Sequence, residues 1–163
     1  LFLSHPLYAI AVVLSAFLLS AGLGSALALR FDPNRAGRWP LVGWPVVGIA
    51  LLCAVYLAAL PAITDSLVRL PDAIRISAAV LLILPLGLCM GMPFPLGLEA
   101  LGRSAPAAVP WAWGINASAS VVSAVLATLL AIHLGFRAVI VMAVALYLIA
   151  LASFPRGGQG RPA

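Results

Sequence analysis

Residues 111–132 read WAWGINASASVVSAVLATLLAI, a run of 22 residues that contains no charged side chain. An α-helix rises about 1.5 Å per residue, so roughly 20 apolar residues are enough to cross the hydrocarbon core of a bilayer. This stretch is therefore long enough and apolar enough to cross a membrane as one helix.

Four further stretches have the same character, at residues 7–29, 44–60, 73–92 and 137–154. The connections between the stretches are too short to hold an extramembrane domain of typical size. Hydrophobic residues make up 64 % of the chain and charged residues 8 %, which no ordinary soluble domain matches. The sequence predicts an all-α, polytopic membrane helix bundle of about five transmembrane helices, with a membrane domain at 1–156 and a polar tail at 157–163.

The net charge of +5 comes from nine arginines against four acidic residues. The arginines are scattered over the connections and not clustered on one face, which argues against a nucleic-acid partner. Arginine is enriched in cytoplasmic connections. Placing the first connection, the third connection and the tail in the cytoplasm puts six arginines inside and three outside. We therefore expect the N-terminus outside and the C-terminus in the cytoplasm.

A six-helix unit has both ends in the cytoplasm. When one helix is removed from it, five spans with an outside N-terminus remain. The first connection, residues 22–38, carries glycines, arginines and Asp32 in an order that resembles the loop between the second and third helices of a major-facilitator half. We expect a truncated unit of that kind in a chain cut upstream, because the chain starts on Leu1 without a basic leader. The alternative is a basic loop that only fixes topology.

Small residues recur at four-residue steps in the first and fourth predicted helices. Ser20 and Gly24 show this spacing in the first helix, and Gly114 and Ser118 show it in the fourth. Lipid provides no hydrophobic drive for helices to associate, so small residues that let two backbones touch mark packing surfaces. We expect both ridges to be buried against other helices.

The motif MGMPFPLG at 90–97 ends the third predicted helix. Pro93 and Pro95 lack the backbone N–H that would continue the helix, so a break is expected there. Asn116 is the one strongly polar side chain clearly inside a span, and its amide needs a partner. We expect it near the backbone carbonyls freed by the prolines, which makes Asn116, Gly91, Pro93 and Pro95 candidate substrate-binding or gating residues. A fixed kink is the alternative interpretation.

Residues with catalytic or metal-binding spacing are not apparent. Cys53 and Cys89 both fall inside spans, where apolar neighbours keep a thiol inert. No carboxylate or arginine lies in the middle of a span, which disfavours ion-coupled transport by this segment alone. The sequence predicts no catalytic residue, no metal and no cofactor in this chain.

Three stretches together resemble one family: HPLY at 5–8 with GLGS at 22–25, MGMPFPLG at 90–97 and PWAWGIN at 110–116. They are similar to the C-terminal membrane segment of bacterial integral-membrane proteins of the spermidine synthase-like type. In that family, major-facilitator-like helices are joined to a soluble domain of the aminopropyltransferase and methyltransferase fold. Ala117 departs from the family pattern, in which glycine is expected after the asparagine.

The resemblance implies a multi-pass location in the bacterial inner membrane, with the lipid bilayer, upstream helices and an upstream synthase-like domain as partners. It transfers no catalytic residue to this chain. Two functions stay open: an anchor and scaffold for the synthase-like domain, or half of a permease-like transporter for a small or cationic solute such as a polyamine. The lack of a carboxylate within the spans favours the anchor.

Overall fold

The computed structural model describes residues 6–30 and 38–154, and nearly all of this part is helical. Five segments are long and apolar enough to cross a membrane, which confirms the predicted all-α, five-span class. The helices are α1 (Pro6–Ala28), α2 (Arg38–Leu67), α3 (Asp72–Gly91), α4 (Pro93–Ser104), α5 (Val109–Leu134) and α6 (Phe136–Ser153), with a 3-10 turn at Pro106–Ala108. The proposed tail at 157–163, together with Asp32 and Leu1, lies outside the described residues.

Helix α2 is longer than the apolar stretch at 44–60 predicts. It contains Pro45 and Pro61 and continues through Thr64 to Leu67. Proline is tolerated in membrane helices because neighbouring helices and local adjustments satisfy the backbone groups that it frees. Hydropathy therefore marks the part of α2 that can lie in hydrocarbon and misses the helical turns beyond it.

The proline motif joins two helices, α3 and α4, where the sequence analysis placed a helix end and a connection. Met92 between them has φ −85° and ψ −39°, which is still within the right-handed helical region. Its N–H donates to the carbonyl of Cys89 at 3.4 Å. In a regular helix this carbonyl would accept a bond from residue 93, but Pro93 has no N–H to donate. The break is therefore a bend, and the chain continues as the amphipathic helix α4.

Helices α1 and α3 run in the same direction. Ser20 lies beside Gly87, and eight residues further along α1, Ala28 belongs to the same hydrophobic cluster as Leu96 of α4. The chain crosses the membrane in α1, returns in α2 and crosses again in α3, so α1 and α3 are parallel.

One hydrophobic cluster collects the end of α1, the start of α2, the α3–α4 bend and the end of α6. We call it the end cluster; it consists of Ala28, Val42, Val46, Leu96 and Leu151, with Met92, Tyr147 and Phe154 packed against it. Four helices are thus fixed to one another at one end of the bundle. Helix α5 stands apart from this cluster and, among the described elements, contacts only α4, the 3-10 turn and α6.

Candidate functional site

The tightest contact between helices lies between α1 and α3. A Cβ atom built on Gly24 would lie 2.9 Å from the carbonyl carbon of Leu88, and one on Gly91 would lie 2.8 Å from the carbonyl carbon of Ala21. Real Cβ atoms essentially never approach another heavy atom so closely. The two backbones are therefore in direct contact, and only glycine fits at these positions.

Ser20 and Gly87 extend this contact toward the middle of the bundle. Ser20 is fully buried, and its hydroxyl donates to the carbonyl of Phe17 at 2.9 Å. A Cβ on Gly87 would lie 2.9 Å from the Cβ of Ser20. The Ser20 hydroxyl is satisfied within its own helix, so its role here is packing. We call the contact of Ser20 and Gly24 with Gly87 and Gly91 the glycine seam.

The α3 half of the glycine seam was missed in the sequence analysis. Gly87 and Gly91 are four residues apart, which is the same small-residue spacing that identified Ser20 and Gly24. The neighbouring prolines indicate a gating role for Gly91 and draw attention away from this spacing. The structure places Gly91 against α1, with its close neighbour in Ala21.

Gly114 and Ser118 lie on the surface of α5. A Cβ on Gly114 would meet nothing within 4 Å, and the described part of the chain places no helix over this ridge. The ridge lines an open, apolar groove of about 750 Å³ formed by Pro110, Trp111, Gly114, Ile115, Ser118, Ala119 and Val122. Within this chain, the second predicted small-residue ridge is thus uncovered.

The amide of Asn116 is not bonded to the proline motif. The side chain is exposed, and its amide makes no hydrogen bond to any residue that the structure describes. The expected bond from its amide to the carbonyls near the prolines is therefore not formed.

Trp113 of α5 contacts the proline motif at the start of α4. Its ring meets that of Phe94 edge to face, with centroids 5.1 Å apart and planes at 84°. Asn116 is three residues further along and close to a full turn higher, while the Cys89 carbonyl is taken by the N–H of Met92. An aromatic pair, and not an amide, therefore joins the start of α5 to the proline motif.

A polar contact that the sequence analysis did not identify crosses from α2 to α3. The Tyr56 hydroxyl donates to the carbonyl of Leu82. Pro85 lies inside α3 three residues later and removes the N–H that would bond the carbonyl of Leu81, the residue before Leu82. The Tyr56 bond therefore joins α2 to α3 on the turn that precedes this proline.

The thiols and acidic groups of the described residues do not form a metal centre. No group of three or more His, Cys, Asp and Glu side chains lies close enough there to hold an ion. Cys53 and Cys89 are free and half-buried, and the Cys89 sulfur lies 3.0 Å from where a Cβ on Gly48 would be. In this arrangement Cys89 fills the space left by a glycine of α2, which is a packing role.

Comparison with models of protein families, with curated proteins and with solved structures finds no match to this chain.

Proposed function

We propose that this chain is the membrane anchor and scaffold of a spermidine synthase-like membrane protein and carries no catalytic residues of its own. The observation that supports the proposal most is the glycine seam. Backbones in direct contact over more than one turn leave no space for side chains, and such packing holds two helices at one fixed distance.

A scaffold needs a rigid body, and the end cluster supplies a second point of fixation. It joins residues of α1, α2, α4 and α6 at the same end of the bundle toward which α1 and α3 both run. A rigid half is also compatible with a permease, in which one half largely rocks against the other as a body. What favours the anchor is that no carboxylate lies in the middle of a span, where ion-coupled or polyamine transport would need one.

The arginine distribution leads us to propose an orientation in the bacterial inner membrane. With the C-terminus in the cytoplasm, the end cluster and α4 lie on the cytoplasmic side. The exposed ion pair of Glu99 and Arg103, 2.6 Å apart in α4, then faces the compartment in which a synthase-like domain works.

The experiment that tests the anchor uses the complete reading frame that encodes this chain. We expect the full polypeptide to sediment with membranes and to transfer aminopropyl groups. Removal of residues 1–163 should release a soluble protein that keeps the transfer activity. A reading frame without a nucleotide-binding domain, or a transferase that stays with the membrane after the deletion, would contradict the proposal.

Half of a permease-like transporter is the second candidate, favoured by the exposed middle of α5, residues 114–126. The complete polypeptide in proteoliposomes distinguishes the two functions. An anchor gives no accumulation of labelled spermidine above empty liposomes, whereas a transporter gives accumulation that saturates with concentration.

A further inference from the structure

Helix α5 touches the rest of the chain only near its two ends. Its partly buried residues are Val109 and Ala112 near the start, and Ala127, Leu130 and Ala131 near the end. Residues 114–126 between them are all exposed. The described helices that α5 contacts are α4 and α6, and the exposed middle of α5 lies between its two partly buried ends.

The side of α5 that faces the rest of the chain can be identified from the helical spacing. Val109, Ala112, Ala127 and Leu130 mark the contacting face, and positions on the same face follow at steps of three or four residues. Continuing the steps from Ala112 leads to 116, 120 and 123 before reaching Ala127. The middle of the contacting face is therefore directed toward the rest of the chain, yet its side chains are exposed.

These three positions are Asn116, Ser120 and Ser123, the polar residues in the middle of this face. The Ser120 hydroxyl donates to the Asn116 carbonyl at 2.7 Å, and the Ser123 hydroxyl donates to the Ser120 carbonyl at 3.1 Å. Both hydroxyl oxygens keep lone pairs that can accept a further bond. The Asn116 amide makes no hydrogen bond within the described residues.

Asn116 lies at hydrocarbon depth. It is seven residues beyond the start of α5, or about 10 Å of rise, in a helix of 26 residues that is longer than the hydrocarbon is thick. An amide without a partner is costly in an apolar medium. Polar side chains within spans accordingly face the bundle interior or a water-filled cavity.

We propose that water fills a crevice between the middle of α5 and the rest of the chain, lined on the α5 side by Asn116, Ser120 and Ser123. Water satisfies an amide that has no protein partner, and it supplies donors to the free lone pairs of the two serines. The opposite face, with Ile115 and Val122, contacts lipid. The crevice follows from the residues of α5 and does not depend on whether the chain is an anchor or a transporter.

The test compares two cysteines at nearly equal depth on opposite faces of α5. Cys53 and Cys89 are first replaced by alanine, and Ser120→Cys or Val122→Cys is then introduced in the full chain. The variants are reconstituted into liposomes and treated on both sides with a membrane-impermeant cationic methanethiosulfonate. The cysteine thiolate attacks the thiol-level sulfur of the reagent, forms a mixed disulfide and displaces methanesulfinate. Because the thiolate forms in water and not in hydrocarbon, Ser120→Cys should react on the order of tenfold or more faster. Equal rates, or faster reaction of Val122→Cys, would overturn the proposal.

A second pair keeps the proposal testable if a first variant does not fold, which gel filtration in detergent reports. Ser123→Cys and Val121→Cys also lie on opposite faces, and the same ratio is expected. Adding Asn116→Leu to Ser120→Cys should slow the labelling severalfold, because leucine removes the strongest hydrogen-bonding group of the crevice. An unchanged rate in this double variant would show that the Asn116 amide does not hold the water, and would also overturn the proposal.

Discussion

Gly24 of α1 lies against the main chain of Leu88 in α3, so closely that a Cβ on Gly24 would be 3.1 Å from the Cα and 2.9 Å from the carbonyl carbon of Leu88. In lipid, two helices gain little from bringing leucines together, because acyl chains are equally apolar. Contact between backbones is what distinguishes the correct partner, since dispersion attraction is lost when side chains hold the helices apart. The glycine seam therefore selects α3 as the partner of α1.

Replacing Gly24 by alanine should destabilise the chain by about 1–3 kcal/mol, because the added methyl group forces the two backbones apart. Gly22 is the matched control, since it lies in the same helix and a Cβ there would meet nothing within 4 Å. Gly22→Ala should be neutral or stabilise by up to about 1 kcal/mol through helix propensity. Unfolding in sodium dodecyl sulfate, followed by circular dichroism, measures both, and equal effects would show that α1 and α3 do not touch.

A larger side chain should have different effects at Gly114, on the exposed ridge of α5, and at Gly91, in the glycine seam. Gly114→Leu should leave the stability of this chain within about 0.5 kcal/mol, because no neighbour is displaced. Gly91→Leu should destabilise it strongly, because Ala21 occupies the space. A large loss of stability from Gly114→Leu would mean that another helix covers the groove in solution, and the same unfolding measurement decides this.

Replacing Tyr56 by phenylalanine removes the hydroxyl that donates to Leu82 and keeps the ring. Hydrogen bonds between membrane helices average about 0.6 kcal/mol and reach about 1.7 kcal/mol, so a loss in this range is expected. Thr128→Val is a control, since that hydroxyl bonds the Ala124 carbonyl of its own helix at 2.9 Å. A Tyr56→Phe variant as stable as the parent chain in the denaturation assay would contradict an interhelical bond.

The helices were predictable from the sequence to a greater extent than the contacts between them. Hydropathy identifies each span because the hydrocarbon core, about 30 Å thick, imposes one length scale on all of them. It could not place the ends of α2, since Pro45 and Pro61 are tolerated within a membrane helix.

The small-residue spacing correctly indicated a buried surface at Ser20 and Gly24 but gave the same signal at Gly114. Spacing describes one helix, whereas burial depends on which partner is present. Asn116 shows the same limit: a polar side chain in a span calls for a partner, but the sequence does not say which neighbour lies opposite.

The aromatic contact between Phe94 and Trp113 should contribute about 0.5–1.5 kcal/mol of coupling, as edge-to-face pairs do. Phe94→Leu, Trp113→Leu and the double variant form a cycle that isolates this energy from the individual losses. Trp111 serves as the control, since 75 % of its surface is exposed. Coupling between Phe94 and Trp111 that equals the coupling between Phe94 and Trp113 would contradict the observed contact.

Arg69 and Arg103 should lie on opposite sides of the membrane. Helix α3 lies between them and has 20 residues, which at about 1.5 Å per residue matches the thickness of the hydrocarbon core. With the proposed orientation, Arg103→Cys is cytoplasmic and Arg69→Cys is external, in a chain whose Cys53 and Cys89 are replaced by alanine. An impermeant maleimide should label Arg69→Cys in intact spheroplasts and Arg103→Cys only after permeabilisation. The reverse pattern would invert the orientation, and labelling of both from one side would contradict the span between them.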